Sequence, residues 1–360
     1  MLEDAPTRWQ VAPHAGGPRA FLHIASLNKI TPLGAQFGVD DRRSAPVALA
    51  DPLFGAIEPN PTEIVCADAL GQKLPDPACY AVLDATKVLH LPERLEASGL
   101  EHRCLYRGEA FEKWHHVAPW IVRLLPDHGF TRSLFTQANQ PGDLWDLRPG
   151  IYLRSRASID TLADHFRRFT KSGDDEGRVF YFRFNDSDVM ETYLSGIRDW
   201  PERLQNWFLP NNGYPILRIV TILSDGSARI FRPTNDVLVA PDTRLAFRLT
   251  ERDRRPFRDK VLLQNIREMA RDLKMLLPQE LQDREQHDLE WSVQQTLDRM
   301  ERFGVSDGRY LFHFAAWDAL WGHGFEQRAP DSRLYDILNS RMSEQQKFSE
   351  FEAVLKVLVG

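Results

Sequence analysis

The sequence predicts an α+β or α/β protein: a mixed-sheet N-terminal lobe with flanking helices, then a β-hairpin region, then an all-helical C-terminal lobe. Three observations carry this. Between about residues 79 and 205, short apolar runs of strand length alternate with helical patterns. Two apolar runs then flank Asp225-Gly226, which supplies the positive φ angles of a tight turn. Beyond Pro256, apolar residues recur at spacings of three and four. The expected divisions are a Pro/Gly-rich N-terminal extension over 1–78, an α/β domain over 79–205, a hairpin connector packed on it over 206–250, and a helical lobe over 251–360. The extension is set apart because 10 of the 23 prolines fall in it, which precludes long helices there.

Taken in order, the first 17 or so residues read as a disordered arm. Phe21–Leu27 and Thr62–Cys66 have enough apolar content for strands. The pair Gly34 and Gly38 lies in a proline-punctuated segment and reads as loop. Tyr80–Asp84, Arg103–Tyr106, Trp120–Leu124 and Ile151–Arg154 read as buried strands. Ser158 is an expected N-cap for a helix with Ile159, Leu162, Phe166 and Phe169 on one face and Asp160 in its first turn. Val179–Phe184 reads as a central strand, with Phe180, Phe182 and Phe184 on one face and Tyr181 and Arg183 on the other. Ile216–Leu223 and Ala228–Arg232 form the expected hairpin. Leu262, Ile266, Met269, Leu273 and Leu276 mark a helix closed by Pro278. Further helical stripes are Leu289, Val293, Leu297 and Met300; Tyr310, Phe314, Trp317 and Trp321; and Phe348, Phe351, Leu355 and Leu358.

Composition narrows the function. The 360 residues carry 45 Lys and Arg against 51 Asp and Glu, a net charge of −6, with the cations dispersed. That disfavours a nucleic-acid groove or an anionic membrane surface. No apolar run approaches the roughly 18 residues of a membrane span, and the start lacks a secretory pattern, so a cytoplasmic protein is expected. Cys66, Cys79 and Cys104 have no zinc-binding spacing and read as buried thiols. No nucleophile elbow, zinc-protease motif, phosphate loop or dinucleotide fingerprint is present, and no catalytic, cofactor or metal residue is assigned. Asp84, at the end of a strand, reads as a residue that orders a loop or caps a helix rather than a catalyst. His115 and His116 are adjacent, so their rings diverge and cannot easily share a metal ion. The basic run Arg252, Arg254, Arg255, Arg258 and Lys260 reads as a solvated face, and the aromatic stripe near Trp317 as core or as a partner groove.

Five segments together, Tyr80–Ala85, Leu105–Gly108, Ala118–Leu124, Gly150–Ser155 and Leu162–Arg168, resemble the domain of unknown function 4123 (DUF4123) family, the effector chaperones or adaptors of the bacterial type VI secretion system. Looser similarity extends to Arg302–Val305, Trp317–Phe325 and Leu334–Leu338. The family-motif positions are Asp84, Pro119, Gly150, Ser155, Arg183 and Asp186, with structural roles expected. One motif departs: Arg183-Phe184 is kept, but Asn185, Asp186, Ser187 and Asp188 follow, so the family's proline and second arginine are missing. The resemblance implies a non-enzymatic cytoplasmic factor without cofactor. It would bind a cognate toxin effector, keep it soluble and help load it onto the VgrG spike; as a physical mechanism, an apolar segment of the effector is expected to be held in a groove between the α/β and helical lobes. No nucleic-acid or membrane partner is implied. Trp317, Trp321 and Phe325 are the expected partner anchors. The alternatives are a hydrolase using Asp84 with His102, His115, His116 or His165, and a structural component of the secretion apparatus.

Overall fold

A computed structural model describes residues 20–138, 140, 142–174, 179–211, 213–239, 247–328 and 333–359. The N-terminal arm lies outside these residues. The chain divides into two compact units, residues 1–257 and 258–360.

Ten strands are described: β1 (Leu22–Leu27), β2 (Ala78–Asp84), β3 (His102–Cys104), β4 (Pro119–Leu124), β5 (Gly150–Ser155), β6 (Ser172–Asp174), β7 (Val179–Phe180), β8 (Ile216–Ile222), β9 (Ala228–Pro233) and β10 (Arg248–Leu249). Seven form one sheet in the order β1-β9-β8-β5-β2-β4-β3. Its ladders are all antiparallel, which places the fold on the α+β side of the expectation. β10, β6 and β7 form a small second sheet.

The sheet is a middle layer, and its side-chain alternation feeds two cores. Tyr80 and Val82 of β2, with Ile151 and Leu153 of β5, pack under Phe166, Phe169, Tyr193 and Trp207 from the Ile159–Thr170, Ser187–Gly196 and Pro201–Phe208 helices. The intervening Cys79, Ala81, Leu83 and Tyr152 pack against Leu49, Leu91, Leu95 and Phe135 on the opposite face. A strand covered on both faces has no polar side, which is why β2 reads as a continuous apolar run. Gly150 is required where β5 meets β2, because a Cβ there would lie 2.0 Å from the Val82 carbonyl oxygen.

The expected cap and hairpin form. Ser158 Oγ accepts the Thr161 N–H, and Ile159, Leu162, Phe166 and Phe169 are buried. In the β8–β9 turn, Asp225 accepts from both the N–H and the hydroxyl of Ser227, and Gly226 takes φ 75°.

Several expectations are corrected. Thr62–Cys66 is not a strand but part of the Pro61–Leu70 helix, started by a reciprocal cap between Asn60 and Glu63. Val179–Phe184 is not a central strand. Only Val179–Phe180 pairs, in the small sheet, and the chain then turns through bonds from Phe184 N–H to Phe182 O and from Asp186 N–H to Arg183 O. Phe182 and Phe184 are nonetheless buried and Tyr181 and Arg183 exposed; the Phe180 side chain lies outside the described set. The Glu251–Leu276 helix begins before Pro256, which sits inside it and fits against the bare Cα of Gly196. Asp253 in its first turn belongs to no solvated face: it is buried and accepts from Tyr193, Arg203 and Thr250. Lastly, Cys79 and Cys104 are buried thiols, but Cys66 is partly exposed.

The helical unit has two small cores. Phe314, Phe325, Leu334, Leu338 and Phe351 build one. Ile266, Ala270, Leu273, Leu289, Val293 and Ala315 build the other. Of the apolar residues whose spacing marked this helix, Leu262 and Leu276 are exposed, and Ala270 takes the inward place between Ile266 and Leu273.

Candidate functional site

The C-terminal end of β2 is where the motif residues meet. Asp84 closes the strand, lies opposite Pro119 of β4 and is 3% exposed. One carboxylate oxygen accepts the Thr86 N–H (2.9 Å) and hydroxyl (2.6 Å), a local turn of the kind Asp favours. The other accepts from the Arg183 guanidinium at 2.8 Å. That hydrogen bond raises the Arg183 pKa against the opposing effect of burial.

Asp186 does two jobs beside it. One oxygen accepts the N–H groups of Asp188 (3.0 Å) and Val189 (3.2 Å), capping the Ser187–Gly196 helix. The other accepts from Lys87 Nζ at 2.8 Å, and Lys87 also donates to the Arg148 carbonyl. Burial would raise the Asp186 pKa, but the Lys87 ammonium and the two capping N–H groups outweigh it and hold the carboxyl below its usual value. Ser187 Oγ donates to the Gly150 carbonyl at 2.8 Å, and Arg148 pairs with Asp188. Asp84, Gly150, Arg183 and Asp186 therefore converge, and both oxygens of Asp84 and of Asp186 carry donors from the chain itself. Such a network fastens the 183–187 turn to the sheet. Ser155 lies at the other end of β5, where its hydroxyl donates to the Pro215 carbonyl and accepts the Ala157 N–H.

Residues 79–203, about a third of the chain, match the family described as Domain of unknown function (DUF4123). The chain carries a DUF4123 domain. The matched stretch runs from β2 into the Pro201–Phe208 helix and so contains the whole Asp84–Arg183–Asp186 network. No curated protein and no solved structure matches the chain.

Within the DUF4123 domain the histidines named beside Asp84 engage other groups. His102 Nδ1 is 2.7 Å from Leu100 O, and His115 Nδ1 is 3.0 Å from Phe111 O. Buried His165 accepts from Arg168 at Nδ1, which leaves Nε2 to donate to Trp207 O at 2.9 Å. His116 sets its ring edge-on to His115.

Of the three expected anchors, Phe325 is buried against Phe351, and Trp317 stacks on Phe348 and Phe351. Phe325 is a core residue of the helical unit, and Trp317, partly buried, packs against that core. Trp321 packs against Phe325 and keeps 38% of its surface exposed.

Two concavities flank Tyr181 of the DUF4123 domain. One, of about 330 Å³, is lined by Phe182, Arg183, Val189, Leu249 and Phe257 among others. The larger, of about 460 Å³, joins Arg107, Lys113 and Trp114 to Arg167, Lys171 and Tyr181. Sequence reasoning treated these cations as dispersed. Each segment does hold two of them, but 60 residues separate Arg107 from Arg167, and only β3 and the Ile159–Thr170 helix packing together unites them.

Proposed function

We propose that this protein is an adaptor of the bacterial type VI secretion system: a cytoplasmic factor that binds a cognate toxin effector, keeps it soluble and helps load it onto the VgrG spike without catalysing a reaction. The DUF4123 match over residues 79–203 carries this reading. The motif chemistry supports it, because Asp84, the carboxylate best placed for catalysis, is spent on Thr86 and Arg183, whereas a general acid or base needs a free proton position facing substrate. Net charge −6 suits a protein partner better than a polyanion. Among the described residues, no helix is long and apolar enough to cross a membrane. Binding would draw on burial of apolar effector surface at about 25 cal/mol per Å², less the cost of ordering the bound segment.

Co-expression with a candidate toxin effector, chosen from the genes adjoining this one, followed by size exclusion with light scattering, tests the reading. A stable complex that brings an otherwise insoluble effector into solution is expected. An effector that is soluble alone and never co-elutes overturns it. Concentration-dependent self-assembly of this chain by itself would instead favour a structural component of the apparatus.

A further inference from the structure

We propose that the larger concavity, between Trp114 and Tyr181, docks an acidic segment of the protein partner that carries one apolar side chain. This deepens the adaptor reading and rests on it for the partner's identity. Among the described residues, four cations line the concavity, Arg107, Lys113, Arg167 and Lys171, against one lining carboxylate, Glu109, which pairs with Lys113. Asp164, beside the lining, is shared by two guanidiniums, Arg107 at 2.6 Å and Arg167. Arg167 spends another nitrogen on the Cys104 carbonyl, and its buried Nε has no hydrogen-bond partner among the described residues. Burial and then the neighbouring Arg107 charge lower the Arg167 pKa, against the opposing effect of Asp164. Lys171 has no ion-pair partner among the described residues, and it is exposed.

Two exposed aromatics line the same concavity as the cations. Trp114 is 54% exposed and Tyr181 69%, with Val179 and Phe111 also open beside them. Large aromatics left in water next to surplus cations fit a ligand that brings carboxylates and one apolar side chain together. A volume of about 460 Å³ accommodates a few side chains, not a folded domain.

The test uses the full chain and a fluorescein-labelled peptide of Asp and Glu around a single Trp, with its Asn/Gln analogue and a labelled oligothymidylate as comparators, read by fluorescence anisotropy. The acidic peptide is expected to bind at least about tenfold more tightly than the other two and to weaken with salt. Lys171→Glu and Trp114→Ala, both at exposed positions, should each weaken it about tenfold with an unchanged melting temperature. Lys73→Glu, exposed and outside the concavity's lining, should change nothing. Equal binding of the Asn/Gln analogue, tighter binding of the oligonucleotide, or full affinity in Lys171→Glu overturns the proposal. Co-elution of the candidate effector separates the two readings. If it co-elutes equally with wild type and Lys171→Glu, this docking site is wrong and the adaptor reading stands. If it never co-elutes while the acidic peptide binds as described, the adaptor reading fails and the site stands.

Discussion

Each unit of the molecule buries an ion cluster, and the two are balanced differently. In the sheet-containing unit, Arg156 Nε donates to Glu63 at 2.8 Å, and its other nitrogens reach the carbonyls of Pro75 and Ile57. The second oxygen of Glu63 accepts the Asn60 N–H. Every charged atom has a partner, and the pair ties residues 93 apart. In the helical unit, Arg299 makes two hydrogen bonds to Asp318 and stands 3.2 Å from Glu326, which is 1% exposed. Neither Glu326 oxygen receives a hydrogen bond, among the described residues, nor does Arg299 Nε find an acceptor. Two carboxylates thus divide one guanidinium, with His323 as a further acceptor for it. Burial alone therefore does not rank the importance of an ion pair; the number of satisfied partners does.

The largest test of this contrast removes the balanced partner. Arg156→Met should cost about 3–5 kcal/mol, because Glu63 is left charged and buried; urea unfolding followed by tryptophan fluorescence measures it, and a cost under about 1 kcal/mol would erase the contrast. A steric pair of variants sharpens it. Gly150→Ala forces a methyl onto the Val82 carbonyl and should cost about 1–3 kcal/mol or more, whereas Gly308→Ala, at a helix start with open space, should change stability by less than about 0.5 kcal/mol. A third comparison is made against pH. The folded-state pKa of Asp186 lies below its unfolded value, so its stabilisation is present above that unfolded value, about 3.9, and is lost as pH falls through the lowered folded one. Wild type should exceed Asp186→Asn in stability at neutral pH, with the gap closing below about pH 4; a constant gap would show that capping geometry rather than charge is at work. Among the charged residues, the smallest effect is expected for Glu326→Gln. It leaves Arg299 paired with Asp318 and should cost less than about 1 kcal/mol, and a loss matching that of Arg156→Met would overturn the distinction.

Local signals were legible in the sequence where one residue type acts on its near neighbours. The Ser158 cap, the Asp225-Gly226 turn and the doubly buried run of β2 are of this kind. Asn60-Pro61-x-Glu63 is an equally local signal, yet the apolar content of Thr62–Cys66 drew the reading to a strand. Val179–Phe184 shows that alternating burial needs only an extended backbone on a core, not a hydrogen-bonded ladder. Asp84 was readable as a loop-ordering residue, but its partner Arg183 lies 99 residues away. Arg156 follows a strand and has no local mark of burial. The concavity depends on two separated segments whose charges read, one segment at a time, as ordinary surface. Trp317 and Phe325 illustrate the reverse: an aromatic stripe at helical spacing served the core of its own unit.

The edge position of β1 has a consequence in time. Leu22–Leu27 is made first among the described strands, but its ladder partner is Ala228–Pro233. At roughly 5–20 residues per second, a ribosome needs about 10–40 s to cover the interval. For that time Leu22, Ile24 and Leu27 have no sheet to join, and neither β2 nor β5 can offer one, because β9 and β8 stand between them and the edge. The nascent chain therefore completes its sheet at the end that was synthesised first.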